Sequence, residues 1–485
     1  MKKITLIAML LLLGFGQSSF ATDGYKIQVK LTGANDSMVY LAYYYAKGLP
    51  TIYKADSAKF NKSGVAVLQS KQNTVGGIYI ILLSDQKTYF EFLLNNGDNM
   101  DITMPANDIP YGVKFRNSSE NEHFQEYEKF LKDYGEKERM LTTELASAKN
   151  SADSATARKN LSDQSKVLID YRNNVTTKYP NSLLASIFKA LEVPHVPDGK
   201  HLLPNGQEDT MFAANYYKAH YWDGFNFQDD RLIHTPIYDA KLSEYINKMT
   251  YPYTDSIEKE ANMLLSKTKG TQELFKYTLA WFNNWSQESK VMGMDEVFVY
   301  LVENYYMKGY ATWESPDNLS KIIQRAEQVA PNVIGNVAPE MKMNDVEGKP
   351  QSLLDLKAKY TLVVFWSPTC GFCQHEIPEI DSLYRTVLKD KGVRVFAVRD
   401  DEDKDVKVWK DFIDKNKLND WVNVWDPERK VDFQAKYDAY NTPTIYLLDD
   451  KKIIRGKKLD HTNIAEVIQM LEAKEKMQKN SNTKS

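Results

Sequence analysis

The chain has 485 residues, a length that predicts about two to four domains. Its 62 basic and 65 acidic side chains nearly balance, which excludes the strongly basic composition typical of nucleic-acid-binding proteins. Hydrophobic residues make up 42% of the chain, enough for ordinary cores, and two cysteines cannot form a framework of several disulfides.

Residues 1–21 have the pattern of a signal peptide. Lys2 and Lys3 precede an apolar run over residues 4–15, and residues 19–21 (Ser-Phe-Ala) offer the small residues that a signal peptidase recognises. The run is shorter than the roughly 20 apolar residues of a membrane-spanning helix, although a retained membrane anchor is the alternative interpretation. No later run reaches about 18 apolar residues, so we expect no membrane span after signal cleavage.

Residues 22–112 predict a β-sandwich-like domain. The segments YKIQVKL, MVYLAYYYA, GGIYIILL and TYFEFLL are rich in β-branched and aromatic residues, as strands are. The polar stretches at residues 33–36 and 95–98 are typical of turns between strands.

Residues 113–333 predict an all-α domain. Glu, Lys, Leu and Ala dominate, and HFQEYEKFLKDYGEKERMLTTELASA has helical spacing of its apolar residues. A later helix is expected to begin at Ser315 or Asp317 and to stop near Pro331. Four of the seven histidines lie between His195 and His234, but their irregular spacing does not predict a metal site.

Residues 334–475 predict an α/β domain. TLVVFW is the short apolar run of a strand buried on both faces, and a helix is expected from Gly371 or Phe372 to about Lys389. VRVFAV, TIYLLD and KKIIRGK predict further strands, and two more helices are expected in KDVKVWKDFIDKN and HTNIAEVIQMLEAKEK. Residues 476–485 are polar and predict a disordered tail.

The two cysteines, Cys370 and Cys373, lie in the stretch FWSPTCGFCQHEIP, where a strand is followed by a loop and a helix. Unpaired N–H groups at a helix start stabilise a thiolate, so the pKa of Cys370 should be lowered. Cys373 lies one helical turn further on, close enough to form a disulfide with Cys370. This spacing favours thiol–disulfide exchange, in which the first sulfur attacks and the second resolves the mixed disulfide.

Other functions of a Cys-x-x-Cys pair fit less well. A structural zinc site needs a second pair of ligands, and covalent haem attachment needs histidine where this chain has Gln374. A structural disulfide would close a loop of only two intervening residues and would remove little entropy from the unfolded chain. No metal and no cofactor beyond the dithiol is therefore expected.

Residues 334–475 resemble the thioredoxin fold, and in particular the exported TlpA/ResA-like thiol–disulfide oxidoreductases. Ala338-Pro339, Phe365-Trp366, Cys370-Gly-Phe-Cys373, Glu376, Pro378 and Thr442-Pro443-Thr444 carry the resemblance. The β region is followed by helices that contain FRNSSENEHFQEYEKF and, later, YWDGFNFQDDRLIHTP. In these features the chain is similar to envelope proteins of the Bacteroidetes, in which two domains of unknown function precede a TlpA-like module. This similarity implies that the protein is located in the periplasm or cell envelope.

The resemblance also implies roles for individual residues. Pro443 would form a cis peptide bond opposite the dithiol, and Thr442 and Trp366 would contact the client. Glu376 would supply the carboxylate that exchanges a proton with Cys373, because the buried acid of thioredoxin is replaced by Val364. Thr369 departs from the tryptophan that many relatives carry before the first cysteine, which leaves the redox potential open.

The sequence therefore predicts an exported protein-disulfide oxidoreductase that acts as a reductase on envelope clients. A membrane thiol donor resembling CcdA/DsbD would then reduce the dithiol again. One alternative is a thiol peroxidase, although the spacing of Pro368, Thr369 and Cys370 does not fit the peroxiredoxin motif. Another is that residues 22–333 form a binding module that recruits an envelope partner.

Overall fold

A computed structural model describes residues 23–401 and 405–482. The predicted signal peptide and residues 483–485 of the predicted tail lie outside the described residues. The described chain forms two compact units. The first comprises residues 23–249 and 270–274, and the second comprises residues 250–269 and 275–482. The unit division falls inside the helical segment, so the predicted domain limits at residues 112 and 333 stay predictions.

Two four-stranded sheets build the first part of the first unit, in the orders β4-β1-β7-β8 and β3-β2-β5-β6. Their strands are β1 (Tyr25–Thr32), β2 (Met38–Tyr43), β3 (Tyr53–Lys59), β4 (Val65–Ser70), β5 (Gly77–Leu83), β6 (Tyr89–Leu94), β7 (Asp98–Pro105) and β8 (Lys114–Arg116).

Alternation of apolar and polar residues explains the layering of these sheets. In β1, Tyr25, Ile27 and Val29 are buried, whereas Lys26 and Gln28 between them are exposed, as the two-residue period of a strand requires. Apolar side chains from the inner faces of both sheets share one core. This arrangement confirms the predicted sandwich-like fold.

Helices follow the sheets in the first unit. They are α1 (Ser119–Ser147), α2 (Ser151–Lys178), α3 (Leu183–Ala190), α4 (Phe212–His220) and α5 (Tyr238–Met249). Asn150 and Ser182 cap the starts of α2 and α3, because their side-chain oxygens accept hydrogen bonds from backbone N–H groups of the first turn.

The second unit begins with four helices and continues into a seven-stranded mixed sheet. The helices are α6 (Thr254–Thr268), α7 (Glu273–Glu288), whose first two residues belong to the first unit, α8 (Asp295–Leu301) and α9 (Pro316–Val329). Ser315 caps α9, as expected, and Pro316 occupies its first position. The central helical region is thus confirmed.

The elements that follow in the second unit are β9 (Lys342–Asp345), β10 (Pro350–Ser352), β11 (Tyr360–Trp366), α10 (Gly371–Leu383), β12 (Val393–Arg399), α11 (Val406–Lys415), β13 (Val422–Trp425), α12 (Phe433–Tyr437), β14 (Thr444–Leu448), β15 (Ile454–Lys457) and α13 (Ile464–Asn482). The strand order in the sheet is β10-β9-β13-β12-β11-β14-β15. β11 pairs in parallel with β12 and antiparallel with β14. This order confirms the thioredoxin fold.

The interior strand β11 is buried over its whole length because both faces of the sheet are covered. Leu362 and Val364 belong to the core on one face, and Val363 and Phe365 belong to the core on the other. A rigid, fully buried strand therefore ends immediately before the loop that carries the dithiol.

Several details differ from the sequence-based expectations in this unit. The short elements β9, β10, β13 and α12 were not predicted, because three to five residues are too few to show a clear period. Helix α13 continues to Asn482, past residue 476, where a disordered tail was expected. Residues 476–479 are Lys, Met, Gln and Lys, which are good helix formers and extend the helix.

Candidate active site

Cys370 occupies the N-cap position of α10, directly after the loop that leaves β11. Its Sγ accepts a hydrogen bond from the backbone N–H of Cys373, with a distance of 3.4 Å between the two heavy atoms. The sulfur thus lies where the unpaired N–H groups of the helix start are concentrated. The Cys370 thiol is half-buried, while Cys373 is fully buried, and both are free.

The two thiols differ in acidity. Burial raises the pKa of Cys370, but interactions with the side chains of Cys373 and Thr442 and with the backbone of Cys373 and Phe372 outweigh burial and lower this pKa overall. Burial and the neighbouring Cys370 thiol raise the pKa of Cys373 to about 12. The geometry therefore lets Cys370 ionise first while Cys373 keeps its proton.

The loop before β14 lies against the dithiol. The Thr442–Pro443 peptide bond is cis, and the protonated Cys370 Sγ donates a hydrogen bond to the carbonyl oxygen of Thr442 at 3.3 Å. Thr444 pairs with Phe365 across β14 and β11, which brings this loop to the start of α10. Thr442 and Pro443 are both half-buried, so part of the loop remains open to solvent.

Glu376 lies one turn beyond Cys373 and is held by the segment that precedes α13. Its carboxylate accepts hydrogen bonds from the backbone N–H of His461 at 2.7 Å and from the His461 ring Nδ1 at 2.8 Å. The hydrogen bond to Glu376 raises the pKa of His461. His461 was not predicted as part of the site, since 85 residues separate it from Glu376 and no local motif marks it.

The predicted client contact of Trp366 is corrected by the structure. Its side chain is 0% exposed and packs against Phe412, with 4.9 Å between ring centroids. A fully buried ring has no surface with which to contact a client. Trp366 instead belongs to the core beneath the dithiol loop.

Two exposed aromatic side chains near the dithiol were also missed as candidate contacts. Phe372, between the two cysteines, is 82% exposed, and Tyr440, two residues before Thr442, is 51% exposed. Large exposed apolar groups beside a reactive sulfur can bind apolar parts of a client. The Cys-Gly-Phe-Cys motif contained the signal for Phe372, because its apolar residue lies in the first turn of the helix.

A polar network supports the dithiol loop from the adjacent strand. Arg399 is buried at the end of β12 and forms an ion pair with Asp401 at 2.8 Å. The Asp401 carboxylate also accepts a hydrogen bond from the Ser367 hydroxyl, and that hydroxyl contacts Thr369 Oγ1 at 2.9 Å. The network links the residues before Cys370 to the sheet and limits their motion.

Within residues 23–401 and 405–482, no group of three or more His, Cys, Asp or Glu side chains is arranged to hold a metal ion. Over the same described part of the chain, no helix is both long enough and apolar enough to cross a membrane.

A curated relative decides the family of this chain. The thiol-disulfide oxidoreductase ResA of Bacillus thuringiensis subsp. konkukian (strain 97-27) is 33% identical over 130 residues, which cover 27% of this chain and 72% of the relative. The chain belongs to the ResA family of thiol–disulfide oxidoreductases. This ResA-family chain is also similar to the thioredoxin-like protein YneN of Bacillus subtilis (strain 168), at 27% identity over 30% of this chain and 80% of the relative.

Three family descriptions match separate parts of this ResA-family chain. The AhpC/TSA family matches residues 334–457, a domain of unknown function (DUF5106) matches residues 154–332, and another (DUF4369) matches residues 25–124. The predicted architecture, in which two domains of unknown function precede a thioredoxin-like module, is thus confirmed.

Among solved structures, the chain is similar to a domain of a possible thiol-disulfide isomerase from Cytophaga hutchinsonii ATCC 33406. The identity is 34%, the match covers 30% of this chain and 99% of that chain, and the TM-score is 0.29. A thioredoxin-like protein from Bacteroides caccae ATCC 43185 is 20% identical and matches 57% of this chain and 99% of its own, with a TM-score of 0.44.

Proposed function

We propose that this ResA-family chain is an exported protein-disulfide reductase of the periplasm or cell envelope. The observation that carries this proposal is the difference between its two thiols. Cys370 is accessible, sits at a helix start and has a lowered pKa, while Cys373 is buried and has a raised pKa. A nucleophile and a resolving thiol need this division of acidity and access.

The reaction has two exchange steps. The Cys370 thiolate attacks one sulfur of a client disulfide, a mixed disulfide forms, and the other client sulfur leaves as a thiolate. Cys373 then loses its proton and attacks the Cys370 sulfur, which releases the second client thiolate. The client gains two electrons, and the enzyme is left with a Cys370–Cys373 disulfide.

The proton of Cys373 must leave at the moment of the second attack, because its raised pKa keeps it bound at neutral pH. We assign the proton-accepting role to Glu376, which lies one turn away and is held by His461. The backbone of Thr442 would form hydrogen bonds with the client. Pro443 has no N–H, so the edge of the loop backbone at residues 442–443 stays open for this pairing.

Regeneration requires an electron donor, and a membrane thiol carrier resembling CcdA/DsbD is the proposed partner. The signal peptide predicted at residues 1–21 supports a reaction outside the cytoplasm. Envelope proteins that contain disulfides are the proposed clients.

The direction of the reaction is tested by the reduction potential of the Cys370–Cys373 pair, measured by equilibration with dithiothreitol or glutathione. The Gly371-Phe372 dipeptide brings no positive charge that would stabilise the thiolate further. We therefore expect a value nearer the roughly −270 mV of thioredoxin than the roughly −120 mV of the oxidant DsbA. A reduction potential near that of DsbA would indicate that the protein forms disulfides instead of reducing them. Rapid peroxide consumption would favour a thiol peroxidase.

A further inference from the structure

Helix α9, from the segment that matches a domain of unknown function, contacts the loop that carries Thr442 and Pro443. Arg325 of α9 forms a two-pronged ion pair with Asp438, with nitrogen–oxygen distances of 2.5 and 2.8 Å. The Asp438 side chain is only 10% exposed and that of Arg325 is 39% exposed. A bidentate pair with one partly buried partner fixes geometry better than a single exposed ion pair does.

Asp438 stands at the point where the chain turns from α12 toward the dithiol. It is the C-cap of α12 and has a φ of 51°, in the left-handed region. Four residues later, the carbonyl oxygen of Thr442 contacts Cys370 Sγ. The ion pair with Arg325 therefore holds one end of the five-residue segment from Asp438 to Thr442, whose other end contacts the nucleophile.

A second set of contacts holds the same helix end. The Asn332 amide donates a hydrogen bond to the carbonyl oxygen of Lys436 at 3.3 Å. The Tyr446 hydroxyl donates to the carbonyl oxygen of Tyr437, the last residue of α12. Asn332 and Tyr446 are both buried, so these contacts keep α12 in place and leave Arg325 to fix the exit of the chain at Asp438.

We propose that Arg325 is a positioning residue for the client-binding loop at residues 438–443. By fixing Asp438, it holds the Thr442 backbone and the exposed Tyr440 where a polypeptide client can bind beside Cys370. This inference rests on the proposed function. According to this inference, helix α9 contributes to client binding through Arg325. The thiol–disulfide exchange itself is carried out by Cys370 and Cys373.

The inference separates two kinds of substrate. A polypeptide disulfide uses the loop backbone and Tyr440 as well as the sulfur, whereas the small disulfide DTNB needs only an accessible thiolate. Loss of the Arg325–Asp438 pair should therefore weaken binding of polypeptides and leave the reaction with DTNB unchanged.

The test compares Arg325→Gln with the wild-type chain in two assays: dithiothreitol-driven insulin reduction and reaction of the reduced protein with DTNB. We expect KM for insulin to rise about tenfold, the size of effect expected when a charge-assisted pair is lost. We expect kcat for insulin and the DTNB rate to stay within about twofold of the wild-type values. Arg325→Lys keeps the positive charge but loses the two-pronged guanidinium geometry, so it should give an intermediate KM for insulin.

Asp438→Asn provides a second disruption of the same pair, because asparagine tolerates a positive φ. It should raise KM as Arg325→Gln does, and the double variant should be no worse than either single variant. Arg385→Gln is the matched control: Arg385 pairs with Asp381 at 2.7 Å, with side-chain exposures of 40% and 10%. This control should leave the insulin KM unchanged.

An unchanged insulin KM in Arg325→Gln would overturn the inference, and so would an equal loss in the insulin and DTNB assays, which would indicate a general loss of structure. A wild-type protein that reacts with DTNB but does not reduce insulin would contradict the proposed function itself. The wild-type measurement therefore distinguishes failure of the proposed function from failure of this inference.

Discussion

Replacing Cys370 by serine is expected to reduce insulin-disulfide turnover to the rate of the uncatalysed reaction. The hydroxyl of serine does not ionise near neutral pH and cannot form a disulfide, so the first exchange step is lost. Cys373 cannot substitute, because it is buried and its pKa is raised to about 12. Turnover of insulin with dithiothreitol, followed by turbidity, measures the loss.

Cys373→Ser is the companion variant. It keeps the nucleophile and removes the resolving thiol, so it should accumulate mixed disulfides with clients that a reducing gel resolves. Substantial turnover by Cys370→Ser, or mixed disulfides formed through Cys373 in that variant, would show that the order of attack is reversed.

Replacing Lys457 by alanine is expected to lower the free energy of unfolding of the second unit by about 3 kcal/mol. Lys457 lies at the end of β15 and is 3% exposed. Its Nζ donates to the side-chain oxygen of Asn332 at 2.6 Å and to the backbone oxygen of the same residue at 3.1 Å, and it forms an ion pair with Asp295. Asn332 is fully buried, so the substitution would remove a hydrogen bond from its backbone oxygen in the interior.

The loss of unfolding free energy in Lys457→Ala should fall at the lower end of the range observed when one partner of a buried ion pair is removed. Burial lowers the pKa of Lys457 despite the opposing effect of Asp295, which shows that the charged form is not fully compensated. The Asp295 side chain is 17% exposed and can regain water when its partner is removed. Both facts reduce the net contribution of the ion pair.

Urea denaturation followed by circular dichroism measures this change, and Lys451→Ala is the control. Lys451 is exposed in the turn between β14 and β15. The control should differ from the wild type by less than about 0.5 kcal/mol. A loss of less than about 1 kcal/mol for Lys457→Ala would show that the cluster stabilises the unit no more than a surface ion pair does.

The parts of the fold that were predictable are those with strong local patterns. The run TLVVFW predicted β11 because a strand covered on both faces is apolar throughout. The start of α10 at Gly371 followed from the placement of the dithiol after a strand and a loop. β13 was not predictable, since its four residues take their structure from pairing with β12 and β9.

The parts of the candidate site that depend on distant residues could not be predicted. Glu376 and His461 are 85 residues apart, and Arg325 and Asp438 are 113 residues apart. No sequence pattern connects such positions, because their contact follows from the packing of whole helices and strands. Trp366 shows the opposite error: its place in a family motif suggested a client contact, but only burial in the folded chain decides accessibility.

The titration of the two thiols tests the central claim most directly. The rate of iodoacetamide alkylation of the reduced wild-type protein would be followed against pH, with each cysteine identified by peptide mapping. Because the thiolate reacts and the pKa of Cys370 is lowered, alkylation at Cys370 should rise with a midpoint below that of free cysteine, while Cys373 stays unmodified. A Cys370 midpoint at or above that of free cysteine, or earlier alkylation of Cys373, would contradict the assignment of Cys370 as the nucleophile.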